Sequence, residues 1–364
     1  MSNKILALYL PQFHPIKENN IWYGKGFTEW TNVAKAKPLF WGHYQPHVPS
    51  ELGFYDLRLK ETLIEQVNLA KEYGLGGFCF YHYWFGNGYE LLETPFKMIL
   101  SDKNLDFPFC LAWANHKWEK KTWKAGVKNE LLVDQKYLGV DDYSMHFYSL
   151  LDAFKDSRYI KVDGNILFFV YDPLGSEELS EFVKTWQKLA KENGLKGFYF
   201  VGKDFDSRNK VRILEKGFNA IYNDTILKIH SKMGNARKAF LLISRKVLKM
   251  PTVFSYKKAA KLMYSIDNDS ETTIPLIAPN WDHSPRSGRS SIILNKSKPI
   301  YFEQLLIDTI LQTQKKPLEK QIILIQAWNE WGEGNHLEPD LRYGRGYLEA
   351  IRKAIEITSI DKRR

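Results

Sequence analysis

The sequence predicts a single (β/α)8 barrel, with long loops after its first and sixth strands, as one domain over residues 1–364. Three observations predict it. Eight short apolar runs recur along the chain, helix-like stretches or long loops separate them, and the first run meets no glycine-rich phosphate turn. Near-continuous apolar runs suit strands buried on both faces, between a packed barrel interior and an outer layer of helices. A doubly wound sheet would use fewer strands and open on a GxGxxG or P-loop, whereas this first strand leads into "PQFHP".

The elements follow in order. The first strand is read at 5–12 ("ILALYLPQ"), and residues 13–55 form the long first connection. An amphipathic helix at 57–74 ends in Gly74, where a C-cap favours glycine, and leads to the second strand at 76–85 ("GGFCFYHYWF"). The third strand is at 107–116 ("FPFCLAWANH"), a helix at 142–156 follows, and the fourth strand is at 165–173 ("NILFFVYDP"). A helix at 176–194, with acids at its start and glycine at its end, precedes the fifth strand at 197–205 ("GFYFVGKDF"). The sixth is the weaker 218–224 ("FNAIYND"), and the seventh is 274–282 ("IPLIAPNWD"), after a basic insertion at about 225–273. The eighth is 321–328 ("QIILIQAW"), and 346–357 has the apolar spacing of a closing helix.

Composition narrows the function classes. With 44% hydrophobic and 26% charged residues the chain is an ordinary globular protein. Its 11 Trp, 20 Tyr and 22 Phe suit a cleft lined by flat rings with polar tips, as sugars require. No run of 18 apolar residues predicts a membrane-spanning helix, and the N-terminal apolar stretch is too short for a secretion signal. Cys79 and Cys110 lie in apolar runs, which fits two buried thiols and a reducing, cytoplasmic setting. The net charge of +10 equals the ten Lys and Arg between Ile226 and Leu262, a stretch without Asp or Glu. Within it "RKAFLLISRKVLK" (237–249) has roughly helical spacing. It could lie on an anionic membrane surface, peripheral to the inner membrane, or contact an acidic glycan; a solvated helix is the plain alternative, and nucleic acid is not expected.

Barrel active sites form at the C-terminal strand ends, and here those ends are polar and aromatic. They offer Tyr9, Gln12 and His14; His82, Tyr83 and Trp84; Trp113, Asn115 and His116; Tyr171 and Asp172; Tyr222, Asn223 and Asp224; Asn280, Trp281 and Asp282; and Trp328, Asn329, Glu330 and Glu333. Glycosidic cleavage needs two carboxyl groups, one protonated and one ionised. Glu330 and Glu333 sit three apart in "QAWNEWGEGNHLEPD" (326–340), where Gly332 and Gly334 permit a turn that brings them to one side. Close carboxyls also split their pKa values. The candidate catalytic residues are therefore Glu330 and Glu333. Candidate sugar-binding residues are Gln12, His14, Glu29, Trp30, His82, Tyr83, Trp113, Asn115, Asn280, Trp281, Trp328, Asn329 and His336, with Glu29 a further acid from the first loop. Glu338 and Asp340 are read as capping or orienting groups.

"WNEWGEGNHLEPD", with "LYLPQFHP" (8–15), "GFTEWTNV" (26–33), "YQPHVPSELGFYDLR" (44–58), "GFCFYHYWF" (77–85) and "LAWANH" (111–116), resembles the WbsX-like family, a branch related to glycoside hydrolase family 99, the endo-α-mannosidases. The resemblance spans most of the chain. It implies a metal-free, cofactor-free barrel that cleaves α-mannoside-like linkages of an oligosaccharide or polysaccharide with retention, through a 1,2-anhydro sugar. It assigns Glu330 as the base toward the 2-hydroxyl and Glu333 as the acid/base. The first strand's "LPQFHP" departs from the mannosidase pattern, which leaves the sugar open. The family's link to bacterial surface polysaccharide gives a second reading, a glycosyltransferase or transglycosylase. For that reading "DFD" (204–206) and "DND" (267–269) are the candidate metal–diphosphate motifs. A non-catalytic glycan-binding barrel is the third reading, and it would not need both glutamates.

Overall fold

The computed structural model describes residues 4–120, 129–206, 208–224, 226, 229, 250–264 and 270–361. Eight parallel strands form the barrel: β1 (Lys4–Tyr9), β2 (Gly77–Trp84), β3 (Phe109–Trp113), β4 (Asn165–Val170), β5 (Phe198–Asp204), β6 (Ala220–Asn223), β7 (Thr273–Ile274 and Leu276–Ile277) and β8 (Ile322–Ile325). Each pairs with its sequence neighbours, and β1 pairs with β8 through Lys4 to Ala7 against Ile322 to Ile325.

Closure runs through a broken strand. Pro275 has no N–H, so it cannot continue a ladder on both sides. The first half of β7 pairs with β6, and the second half pairs with β8. The Pro275 carbonyl still accepts from Leu324 N at 2.9 Å. The single seventh strand expected at 274–282 is thus two short pieces, and the residues from Ala278 on belong to the loop above the barrel.

The strand interiors are buried without exception in β3 and β5, and the same core holds Phe168, Phe200 and Trp186. Outside the strands, helix Leu179–Glu192 buries Leu179, Phe182, Val183, Trp186, Leu189 and Ala190 against them. Burial of one aliphatic side chain contributes roughly 1.5–3 kcal/mol, so this layer is what holds the barrel closed. The helix expected at 142–156 is two, Val140–Ser149 and Leu151–Lys155. The closing helix extends over Gly346–Asp361 and packs against Pro299–Thr313.

The long first connection carries two short helices, Lys17–Tyr23 and Glu29–Lys35, laid over the C-terminal mouth. Most of the basic insertion, including 237–249, lies outside the described residues, as does 267–269. Its described end is helix Tyr256–Tyr264, which buries Tyr256, Ala259, Ala260 and Met263 and leaves Lys257, Lys258 and Lys261 exposed. Cys79 and Cys110 are buried free thiols. No helix among the described residues is long and apolar enough to cross a membrane.

Candidate active site

The strand ends open into a cleft of about 790 Å³. That volume is within the usual range for a small-molecule or oligosaccharide site. Of the residues expected to bind sugar, Gln12, Glu29, Tyr83 and Trp281 line it, beside Glu330 and Glu333. Tyr81, Tyr171, Lys203, His283 and Arg286 complete its working wall.

Strand parity decides which side chains face the cleft. Successive residues of a strand point to opposite faces. On β2, Tyr81 and Tyr83 face the cleft, whereas His82 and Trp84 turn outward. His82 Nε2 lies 2.7 Å from His146 Nε2, and the Trp84 ring stacks on His146 at 4.6 Å. Past β3, Ala114 reaches the cleft while Trp113 points out and donates its indole N–H to the Trp84 carbonyl at 2.9 Å. On β5, Lys203 is inside, ion-paired with Asp224 at 2.9 Å and 4.4 Å above the Tyr171 ring.

The structure places nine of the expected sugar ligands away from the cleft: His14, Trp30, His82, Trp113, Asn115, Asn280, Trp328, Asn329 and His336 are buried and do not line it. Trp328 packs in the core on Phe78. Trp30 donates to the Tyr55 carbonyl at 2.7 Å and packs against Phe13 and Trp331. His14 is buried, which lowers its pKa. The three asparagines share one device. Asn329 accepts from Leu10 N at 2.7 Å and donates to Leu10 O at 3.0 Å. Asn115 does the same with Asp172 N and O at 2.7 and 2.8 Å, and Asn280 with His336 N and O at 2.9 and 3.4 Å. Each amide thus adds a rung where the backbone ladder has ended.

Behind the catalytic loop, Glu338 accepts from Tyr55 Oη (2.8 Å), Gln66 Nε2 (2.6 Å) and Trp331 Nε1 (2.6 Å). It is an orienting group, not a helix cap, and burial raises its pKa to about 7 despite these donors. Asp340 accepts from the backbone N–H of Arg342 and Tyr343 and shapes the turn that follows.

At the centre stand three acids and one guanidinium. Arg286, in the turn Ser284–Ser287 after β7, donates Nε to Glu29 at 3.0 Å and Nη1 to Glu330 at 3.2 Å and Glu333 at 2.5 Å. Burial raises the Glu330 carboxyl to about 8, helped by the charge of Glu333. Burial also opposes ionisation of Glu333, but Arg286 and a hydrogen bond from His283 outweigh it and bring that group to about 2. The pair therefore holds one acid and one base near neutral pH. The two bonded oxygens share one nitrogen, so they can be no further apart than the 3.2 and 2.5 Å legs laid end to end. Oxygens that close are compatible with the ~5–5.5 Å carboxyl separation of retaining glycosidases.

Among the described residues one group offers metal-type ligands close together: His47, His336 and Asp340. His336 Nδ1 lies 3.0 Å from the Glu338 carbonyl and so carries the proton, and its Nε2 faces His47 Nδ1 at 3.0 Å. The lone pair an ion would need is already engaged. The "DFD" motif is likewise occupied, since Asp204 is fully buried and accepts from the backbone N–H of Asp206 and Asn209. "DND" lies outside the described residues.

Sequence reading missed Tyr81, Lys203, His283 and Arg286. Counting parity outward from each strand's buried core points to Tyr81 and Lys203. No local signal marks His283 or Arg286, which sit in the ordinary turn sequence "DHSPRSGRS".

Three comparisons with known proteins bear on this site. A family model described as "Glycosyltransferase WbsX" matches residues 5–351. Two curated proteins from Xanthomonas campestris pv. campestris, strains B100 and ATCC 33913, each named "Uncharacterized protein WxcX", are 36% identical over 96% of this chain. The chain spans about half the length of these relatives, 49%. Among solved structures, a "Glycoside hydrolase-like protein" superposes with a TM-score of 0.63 at 13% identity, covering 97% of this chain and 94% of that one. The GH99 endo-alpha-mannosidase from Bacteroides thetaiotaomicron superposes with a TM-score of 0.59 at 13% identity, over 100% of both chains. At that identity the likeness is one of fold, and the fold is the (β/α)8 barrel.

Proposed function

The chain belongs to the WbsX family, and from that premise we propose that it is a carbohydrate-active enzyme that breaks glycosidic bonds with retention of anomeric configuration. The observation that carries this reading is the shared hold of Arg286 on Glu330 and Glu333. Carboxyls held this close are compatible with a retaining mechanism, and the opposite pKa shifts of the two groups support a division into one acid and one base. The substrate class we infer is an α-mannoside-like linkage of a bacterial oligosaccharide or polysaccharide. The family relation and the fold of the Bacteroides mannosidase support it. In this reading the sugar's own 2-hydroxyl attacks the anomeric carbon to give a 1,2-anhydro sugar, and water then opens it. Tyr81, Tyr83, Tyr171 and Trp281 supply the ring faces and hydroxyls that hold the sugar.

The test is hydrolysis of aryl α-mannosides and α-mannosyl oligosaccharides, with the first-formed anomer read by proton NMR. The expected product is the α-anomer, and Glu333→Gln should lower the rate on a natural glycan by roughly 10²–10⁴-fold. A β-anomer as first product, or a Glu333→Gln variant at the wild-type rate, would refute the reading.

The second reading is glycosyl transfer, favoured by the family's own description. The same two glutamates could hand the sugar to a hydroxyl acceptor in place of water. A nucleotide-sugar mechanism has less support, because the Asp204 carboxylate is committed to its own turn. Calorimetry with UDP- and GDP-sugars plus Mn²⁺ separates the two, since saturable metal-dependent binding would move the assignment to a nucleotide-dependent transferase.

A further inference from the structure

The fold brings together two acid-free stretches that lie far apart in the sequence. Residues 225–266 and 283–302 contain no Asp or Glu, in a chain that has 42 of them, and they carry ten and four Lys or Arg. A small parallel sheet outside the barrel joins them, with Thr252 to Ser255 paired against Ile292 to Asn295. Both strands therefore end at the same edge. One runs on into helix Tyr256–Tyr264, and the other into Lys296, Lys298 and helix Pro299–Thr313.

The face built at that edge is basic, with apolar residues among the charges. Tyr256, Ala259, Ala260 and Met263 bury one side of the first helix, so Lys257, Lys258, Lys261 and Tyr264 stand on the other. Lys257 Nζ lies 5.5 Å from the centre of the Tyr301 ring, which sets the starts of the two helices side by side. Lys296 and Lys298 are exposed just before that second helix, and Ile300 within it is 58% exposed. Among the described residues none of these lysines meets a carboxylate. Elsewhere Lys60, Lys97 and Lys103 pair with Asp102, Glu90 and Asp156 at 2.7, 3.0 and 2.5 Å. Lysines clustered without acids make a positive field that an extended array of anions neutralises. The exposed Ile300 and Tyr264 suit the boundary between lipid headgroups and acyl chains, with the lysine stems reaching out to the phosphates. A soluble polyanion would use the charge and leave Ile300 in water.

We propose that this face docks the protein on a membrane surface rich in anionic phospholipid. The inference does not depend on the glycosidase reading. Lys296 and Trp281 border one small cavity and Trp281 also lines the cleft, so the docking face adjoins the mouth and sets it beside glycans carried at that surface.

Flotation of the purified chain with vesicles tests the proposal without any turnover. Phosphatidylcholine vesicles containing about one-third phosphatidylglycerol should carry the protein at ~0.1 M NaCl and release it at ~1 M, as the Debye length falls from about 10 Å to about 3 Å. Pure phosphatidylcholine should carry none. Each lysine at an anionic surface is worth about fivefold in binding, so Lys257→Gln, Lys258→Gln and Lys261→Gln combined should weaken partition roughly 10²-fold. Ile300→Ser should weaken it by about threefold or more, through lost apolar contact alone. Replacing Lys184, Lys188 and Lys191, on the helix outside β4 and β5, by Gln should leave partition within about twofold. All the replaced side chains are exposed, so the variants should keep the wild-type far-ultraviolet spectrum. Equal binding to both kinds of vesicle, or wild-type partition in the triple variant at 257, 258 and 261, overturns the proposal. Retention on polygalacturonate without binding to vesicles overturns it too, and makes the partner a soluble acidic glycan.

Discussion

At Gly332 a single hydrogen atom keeps the centre of the cleft in order. An alanine methyl there would overlap the Glu29 carboxylate, which is itself held by Arg286 on the far side. Gly334, two residues on, adopts φ +51, and any Cβ there would come within 3.1 Å of the Asp282 carbonyl. The spacing of glycines in "WGEG" thus answers two separate demands, close approach at the first and a left-handed backbone at the second. We expect Gly332→Ala to fold with an unchanged far-ultraviolet spectrum, to lose about 1–3 kcal/mol of stability in urea unfolding, and to lose activity out of proportion, because the displaced atoms are the Glu29–Arg286 contact. Full activity at reduced stability would mean that this contact serves the fold alone. The glycines and both glutamates were visible in the sequence as one dense motif. Arg286 was not, because its meaning comes from three carboxylates supplied by two other loops, 257, 44 and 47 residues away.

At the scale of elements, the strands were legible because each is an apolar run with turn signals at its ends, and the order of pairing follows from the fold. What the sequence reading lacked was the face on which each strand-end side chain emerges. Treating a strand end as a cluster put His82 and Trp113 in the cleft, whereas the pleat sends them to the helix layer, where both meet His146. The asparagines at the ends of β3, β7 and β8 look like sugar ligands by residue type, yet their amides bond backbone groups across a neighbouring strand end, and those of Asn115 and Asn329 also donate to the Tyr137 and Tyr55 hydroxyls. Asn329→Ala would leave both the N–H and the C=O of Leu10 buried without that partner. One unsatisfied buried group costs about 1–3 kcal/mol, so the variant should lose roughly 2–4 kcal/mol in denaturant unfolding. Asn329→Asp keeps the acceptor for Leu10 N and loses only the donor, so it should be the milder change at low pH and the worse one when its buried carboxyl must ionise. Equal stability of the Ala variant and wild type would show that water replaces the amide.

For the molecule as a whole, the buried ionisable groups oppose one another across the pH scale. His336 and His47 are lowered to about 4 by burial, and His146 lies well below its usual value for the same reason. In the unfolded chain they titrate near 6.5, so between about 6.5 and 4 the unfolded state binds more protons, and stability falls as pH drops through that window. Glu338 and Glu330 behave oppositely. Burial raises them to about 7 and about 8 from 4.5, so the folded state binds more protons above 4.5, and stability falls as pH rises toward those values. Below about 6.5 these histidines, with His14 lowered as well, outnumber the two glutamates; above it the histidines are neutral in both states and only the glutamates act. The unfolding free energy should therefore peak near pH 6–6.5 and decline on both sides. Glu338→Gln should flatten its own contribution between about pH 4.5 and 7 and leave the acidic limb in place, whatever it does to the absolute stability. Urea titrations from pH 4.5 to 8.5 on the two proteins would decide this, and a wild-type stability that climbs steadily to pH 8 would mean that Glu330 and Glu338 are ionised throughout. That outcome would also remove the acid from the proposed acid–base pair, so the stability curve and the reaction test the same buried proton.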